Sequence, residues 1–303
     1  MTYYHCVFTV PAELNALLLL NPAQLYPLFF DCAAQSLLEF GRNRLGGDLG
    51  LSLVLQTWGQ QLEFHPHLHG IVTGGALSPD GRRWRSPKQR KFLFPVRAVA
   101  ALFRGKFLHR LRRLLDAGAL RQPALFPATP AAQRQWFTHL YTKGWVLYAK
   151  RPFGGPQQVL SYLSNYTHRV ALSNRRLVAV DEPAGTVTFT YRDYRQGGVV
   201  QTRTLPAEQF IRRFSQHLLP AGLVRIRHYG ILGNNRRQRD IPKVRALLPR
   251  RARQPANATR SPRLFEPMCC PHCGQSGLRL VGWIDAYGVR HTLRQPPPIL
   301  DSS

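Results

Sequence analysis

Acidic residues are scarce in this sequence. Asp and Glu together number 15 against 42 Lys and Arg in 303 residues, which leaves a formal charge of +27. An excess of that size, dominated by Arg rather than Lys, makes a polyanion the expected partner, and nucleic acid comes first. Loose attachment to any anionic surface is the blander alternative. Long apolar runs are missing too. The longest, Leu14 to Leu20, is broken by Asn15 and closed by Asn21, far short of the ~18 residues that a membrane-spanning helix needs. No basic start leads into an apolar stretch, so neither a secretory leader nor a membrane partner is expected. Cysteine is sparse and odd in number, five in all, which argues against a disulfide framework and for a reducing cytoplasm. Core-forming residues are not lacking: 44% hydrophobic and 11% aromatic content exclude wholesale disorder.

The periodicities alternate irregularly between strand and helix. TYYHCVFTV reads as a strand ended by Pro11, and residues 22–45 carry Leu25, Leu28, Phe29, Cys32, Ala33, Leu37 and Phe40 at helical spacing. Segments 50–60 and 67–75 read as strands, with SPDG (78–81) as a turn. A basic amphipathic helix over 97–116, with Phe103, Phe107, Leu111 and Leu115 on one face, opens a helical segment that extends to 140. WVLYAKRPF (145–153) is a short strand before a helix starting at Pro156. A hairpin around Asp181 to Gly185, a helix over 206–219 and a last strand over 222–230 follow. The expected fold class is α+β, a mostly antiparallel central sheet with helices packed on one face. The expected divisions are a main folded domain over 1–235, an Arg-rich linker or tail over 236–265, and a small cysteine-bearing tail over 266–303.

HPHLHG places His67 and His69 two apart in a strand. Alternate strand residues share a face, so both imidazoles can reach one divalent ion while Leu68 points into the core. His65 is a third nearby imidazole whose direction Pro66 leaves open. Alone, His-apolar-His is a short motif with many chance occurrences, and a solvated strand face is its plainer reading.

The helix PQQVLSYLSNYTHR carries Tyr162 and Tyr166 one turn apart. Gln158, Tyr162 and Tyr166 form a stripe beside the packing stripe of Val159, Leu160 and Leu163, so the phenols can line a cleft. Two phenols there suit two successive phosphoryl transfers. A metal and the basic His168 and Arg169 would favour the phenolate. For an isolated Tyr-x-x-x-Tyr, packing at the core edge is the commoner role. Co-occurrence with the histidine strand in so basic a chain reverses that preference.

Cys270 and Cys273 form a CPHCG knuckle, half of a zinc ribbon, which Cys269, His272 or His291 could complete as a structural Zn²⁺ site; a free-thiol turn is the equal alternative. The cluster holding Arg236, Arg237, Arg239, Arg250 and Arg251 is expected to meet phosphates without reading bases. Trp58, Trp84 and Trp145 are candidates for stacking unpaired bases, with burial in the core as their commoner fate.

Long stretches resemble the two-tyrosine HUH transposases of rolling-circle insertion sequences, the IS-ninety-one group. They include FTVPAELNALLLLNP, LQTWGQQLEFHPHLHGIVTGGALSPDGRRW and WVLYAKRPFGGPQQVLSYLSNYTHRVALSNRRL. The resemblance covers roughly residues 3 to 235. It implies an HUH endonuclease core, with His67 and His69 as the metal pair and Tyr162 and Tyr166 as nucleophiles. It implies Mg²⁺ or Mn²⁺ at the scissile phosphate, a 5′-phosphotyrosine intermediate, and single-stranded DNA at element ends and target as partner, in the nucleoid of a bacterial cytoplasm. A third protein ligand is usual in such sites; Gln158 is the first candidate and His65 the second. Members of that family carry a multi-cysteine zinc-binding domain ahead of the first strand, whereas this sequence opens at MTYYHCVFTV. A truncated copy, or a start set too late, is expected. The rival readings are a replication initiator or relaxase of the same chemistry and a non-catalytic DNA-binding remnant.

Overall fold

The structure, a computed structural model, describes residues 2–87, 93–150 and 171–248, together with short strands beyond them. The chain divides into two compact units, Met1–Pro249 and Arg250–Ser303. In the first, a five-stranded antiparallel sheet has the order β10-β2-β3-β1-β6. Its strands are β1 (Tyr3–Thr9), β2 (Gly50–Trp58), β3 (Phe64–Thr73), β6 (Leu147–Lys150) and β10 (Ile226–Gly230). A small ladder joins β4 (Ala76–Leu77) to β5 (Trp84–Arg85), and a three-stranded sheet joins β7 (Leu177–Asp181), β8 (Thr186–Asp193) and β9 (Val199–Pro206). Six α-helices are present among the described residues: α1 (Asn15–Leu20), α2 (Pro22–Phe40), α3 (Val96–Asp116), α4 (Pro130–Thr142), α5 (Ala207–Ser215) and α6 (Arg237–Leu247). No described helix is long and apolar enough to cross a membrane. The class is α+β with a mostly antiparallel central sheet.

Strand alternation separates the two faces of that sheet. Leu55, Leu68, Phe8 and Leu147 form one cross-strand row, with Leu53 and Cys6 in the next. These side chains are buried against α1, α2, α3 and α4 in one apolar core. Phe103 and Phe107 of α3 pack within it against Phe29 and Trp145, Phe103 stacked on Phe29 and the other pairs edge-to-face, as their four-residue spacing allows. The buried Cys6 and Cys32 are free thiols, each pushed up to about 12 by burial, so neither is reactive at neutral pH.

Several boundaries differ from the sequence expectation, each for a local reason. α2 stops at Phe40, and the remaining residues to Leu45 widen into a π-turn closed by Gly46 at φ 65. β2 ends at Trp58 because residues 59–63 turn, with the buried Leu62 at φ 59. β3 begins earlier than expected and runs through Pro66; the β2–β3 register shifts between Gln56 and Trp58, where a residue without an N–H is tolerated. The SPDG turn forms as expected, Gly81 N–H donating to Ser78 O at 2.8 Å. β9 was not foreseen.

The expected tail also needs correcting. The first unit continues past residue 235 to Pro249, because α6 is part of it: Val244 is buried with Leu77 and Ile231. Arg236 bonds Asp48 at 2.6 Å and the buried Asp240 at 2.8 Å, and Arg239 bonds Asp240 at 2.8 Å. Burial opposes ionisation of Asp240, but hydrogen bonds from Arg239 and Arg236 outweigh it and hold its pKa below the usual carboxylate value. In the second unit the described parts are two antiparallel ladders, Met268–Cys269 with Ser276–Leu278 and Gly282–Ile284 with Arg290–Thr292.

Candidate metal centre

The face of the central sheet turned away from the apolar core carries polar side chains in rows. Gln56, His67 and Thr9 stand side by side across β2, β3 and β1; Val54, His69 and Val7 form the next row, and Ser52, Ile71 and His5 the one after. His67 and His69 therefore share a face, ring centroids 4.8 Å apart, while Leu68 between them is fully buried on the other side. His65 follows in line, its ring 5.3 Å from that of His67.

Hydrogen bonding fixes the chemistry of His67. Its Nδ1 lies 2.7 Å from the carbonyl oxygen of His65. A carbonyl only accepts, so Nδ1 carries the proton and Nε2 presents a bare lone pair. Burial pushes the His67 pKa down to about 4, helped by the neighbouring His65 and opposed by the carbonyl bond. At neutral pH the ring is uncharged, the form that binds a metal. Backbone orientation of one ring nitrogen to free the other is the usual support of a histidine ligand.

His69 is engaged at both nitrogens: Nδ1 with His5 Nε2 at 3.1 Å, and Nε2 with Gln56 Oε1 at 3.2 Å. The His5 ring stacks on it at 5.4 Å. Gln56 is buried, and its amide nitrogen has no hydrogen-bond partner among the described residues. Neither His5 nor Gln56 was singled out from sequence. Gln56 had no local signal, and His5 meets His69 only through the β1–β3 pairing across 64 positions. Among the described residues, no group of three or more His, Cys, Asp or Glu side chains could hold a metal ion. His67, with Nε2 bare, could take one position of such an ion, whereas His69 could take a second only by giving up its contact to His5 or Gln56.

The other expected site residues are distributed as follows. Tyr162, Tyr166, Gln158, His168, Arg169, Arg250, Arg251, Cys270, Cys273 and His272 lie outside the described residues. Trp145 is buried in the main core, its Nε1 donating to Leu140 O at 3.0 Å, so it cannot stack a base. Trp84 packs against Leu77, Ile231 and Val244. Trp58 is half-buried, with the Arg225 guanidinium 5.0 Å above its ring. Arg236 and Arg239 are committed to carboxylates, whereas Arg237 is exposed.

The β2–β3 turn is bound by groups that sequence did not reveal. Arg203 donates to the Gln61 side chain, Arg213 to Gln61 O and Arg176 to Gln60 O. The buried His217 donates through Nε2 to Leu62 O at 3.3 Å and accepts from Thr57 Oγ1 at 3.2 Å. The arginines come from the three-stranded sheet, its flank and α5, so that region grips the hairpin bearing the histidines.

A family described as "Putative transposase" matches residues 50–239, a span that contains β2, β3, the histidine pair and α5. The chain belongs to that family. It is 43% identical over 250 residues to "Putative transposase y4qJ" of Sinorhizobium fredii (strain NBRC 101917 / NGR234), covering 81% of this chain and 62% of that protein. It is 28% identical over 247 residues to "Transposase for insertion sequence element IS801" of Pseudomonas savastanoi pv. phaseolicola, covering 80% of this chain and 57% of that one. The chain thus spans about three fifths of the length of these curated relatives. No solved structure matches it.

Proposed function

We propose that this chain is the catalytic part of a transposase that cuts and rejoins single-stranded DNA during rolling-circle transposition, acting on the bacterial nucleoid. The observation that carries the reading is His67, held neutral with Nε2 bare, beside His69 on the polar face of β3. Family membership supports DNA as the substrate, as does the charge of +27.

In this reading His67 Nε2 and the His69 imidazole would hold a Mg²⁺ or Mn²⁺ ion, His69 in place of its contact to Gln56, with Gln56, Gln158 or His65 completing the set. Such an ion would supply charge stabilisation at the scissile phosphate. Tyr162 or Tyr166, as phenolate, attacks phosphorus. An O–P bond forms to the 5′ side, the bond to the 3′ oxygen breaks, and that oxygen takes a proton to become a free 3′-hydroxyl. The second tyrosine, or that hydroxyl, then rejoins strands. The described residues nearest the tyrosines in sequence support the reading: Lys150 pairs with His5 of β1, the strand next to β3, and Ala171 and Leu172 pack with Leu62 of the β2–β3 turn.

The test is covalent capture. Incubation with labelled single-stranded DNA and Mn²⁺ should give a protein–DNA adduct stable to denaturation. Chelation, or Tyr162→Phe combined with Tyr166→Phe, should abolish it. An adduct of unchanged yield from the double variant would remove the nucleophile assignment, and no adduct from the parent chain would leave the DNA-binding remnant.

A further inference from the structure

A second built site lies where β2 meets the three-stranded sheet. A cavity of about 460 Å³ is lined by Trp58, Arg176, Tyr191, Arg192 and Tyr194, with small and polar residues between them. Its lining holds two arginines, three large aromatics and no carboxylate. The volume falls within the range of small-ligand pockets.

We infer that this cavity takes an unpaired base of single-stranded DNA together with its phosphate, one step along the strand from the cleavage site. The inference rests on the single-strand reading above and names a contact that reading does not contain. Position is the first argument. Trp58 stands two residues beyond Gln56 on β2, and Gln56 pairs with His67. By strand rise the separation along β2 is roughly 7 Å, the scale on which neighbouring nucleotides of an extended strand are spaced. A strand crossing the histidine face is thereby led to the cavity mouth.

The second argument is chemical. Arg176 is fixed by backbone carbonyls, Nε to Thr190 O at 2.8 Å and Nη1 to Ala171 O at 3.4 Å, with Nη2 on Gln60 O. Those bonds fix the Arg176 side chain as one wall of the cavity, and the exposed Arg192 guanidinium on its lining suits a phosphate. Tyr191 is oriented by its hydroxyl, which donates to Gln201 Oε1 at 2.6 Å. Tyr194 is 70% exposed, an aromatic ring left at the surface beside the exposed Arg192. Rings beside guanidinium groups make a stacking platform for a base of any identity. A base within a duplex is already stacked and paired, so only an unpaired one can enter.

The test measures binding of the full chain to a short labelled oligothymidylate by fluorescence anisotropy at one ionic strength. Tyr194→Ala should weaken binding about tenfold, and Tyr194→Phe, which keeps the ring, should restore it. Arg192→Gln should weaken binding less. On an abasic strand, which keeps phosphates and lacks bases, Tyr194→Ala should bind as the parent does. A loss caused by misfolding would instead appear on both strands. Parental affinity of Tyr194→Ala and Arg192→Gln for oligothymidylate would overturn the pocket and leave the single-strand reading standing. Failure of the parent chain itself to bind oligothymidylate would bring down both.

Discussion

The two faces of the central sheet are made by the same strands and serve opposite ends. On one, Phe8, Leu53, Leu55, Leu68 and Leu147 meet four helices and disappear from solvent. On the other, the intervening positions hold Gln56, His67, His69 and His5. The apolar face carries the stability, since its rings and branched chains leave water together. The polar face depends on that rigidity: two imidazoles can be set 4.8 Å apart only because Leu68 between them is anchored from behind.

The largest effect that would probe this division lies on the apolar face. Phe103→Ala removes a ring stacked with Phe29 and in edge contact with Phe8, Phe107 and Trp145 and should cost about 3–5 kcal/mol in urea unfolding, with DNA binding of the folded fraction unchanged. On the polar face the expectation inverts. His67→Ala should lower adduct yield about a hundredfold while moving the unfolding midpoint little; a midpoint shift like that of Phe103→Ala would break the comparison. At the edge of the unit, Arg236→Ala removes one of the two guanidinium partners of the buried Asp240 and a partner of Asp48 and should cost about 2 kcal/mol without altering the salt dependence of DNA binding. Arg237→Ala, by contrast, should reduce the slope of log affinity on log salt by roughly 0.7 and leave stability alone.

The smallest effect is in pH. His217 is buried with its pKa lowered, desolvation outweighing the Leu62 carbonyl bond and the pull of Glu63. As pH falls through the ordinary histidine range near 6.5, the unfolded chain takes up a proton that the folded chain refuses, so stability is full above that range and declines below it. Thermal midpoints should therefore drop from pH 7 to pH 5, less steeply in His217→Gln. An identical slope in that variant would remove His217 as a contributor.

Most of the framework was legible because its signals are local. The four-residue spacing of Phe103, Phe107 and Leu111 defines α3, and the alternation around Leu68 defines the two faces of β3. The illegible parts depend on distant partners. α6 read as a tail because Arg237, Arg239 and Arg245 punctuate it and Pro242 interrupts it; its place follows from Val244 and from an ion-pair cluster centred on Asp240 and Asp48. β9 is largely exposed, so its periodicity is faint. Within the site, the paired histidines were visible and their surroundings were not. His5 and Gln56 reach them only through strand register, which no short motif encodes.

The order of strands in the sheet also bears on how the chain comes to be made. β2 lies between β3, its immediate successor in sequence, and β10, which pairs with it from residues 226–230. During synthesis the hairpin of β2 and β3 can close early, yet one flank of β2 keeps its amide and carbonyl groups unsatisfied until the ribosome has delivered about 150 residues beyond Thr73. Nascent chains released before that point would present an open strand edge beside an apolar surface, an invitation to aggregate. Completion of the sheet is thus withheld until nearly all of the first unit has emerged.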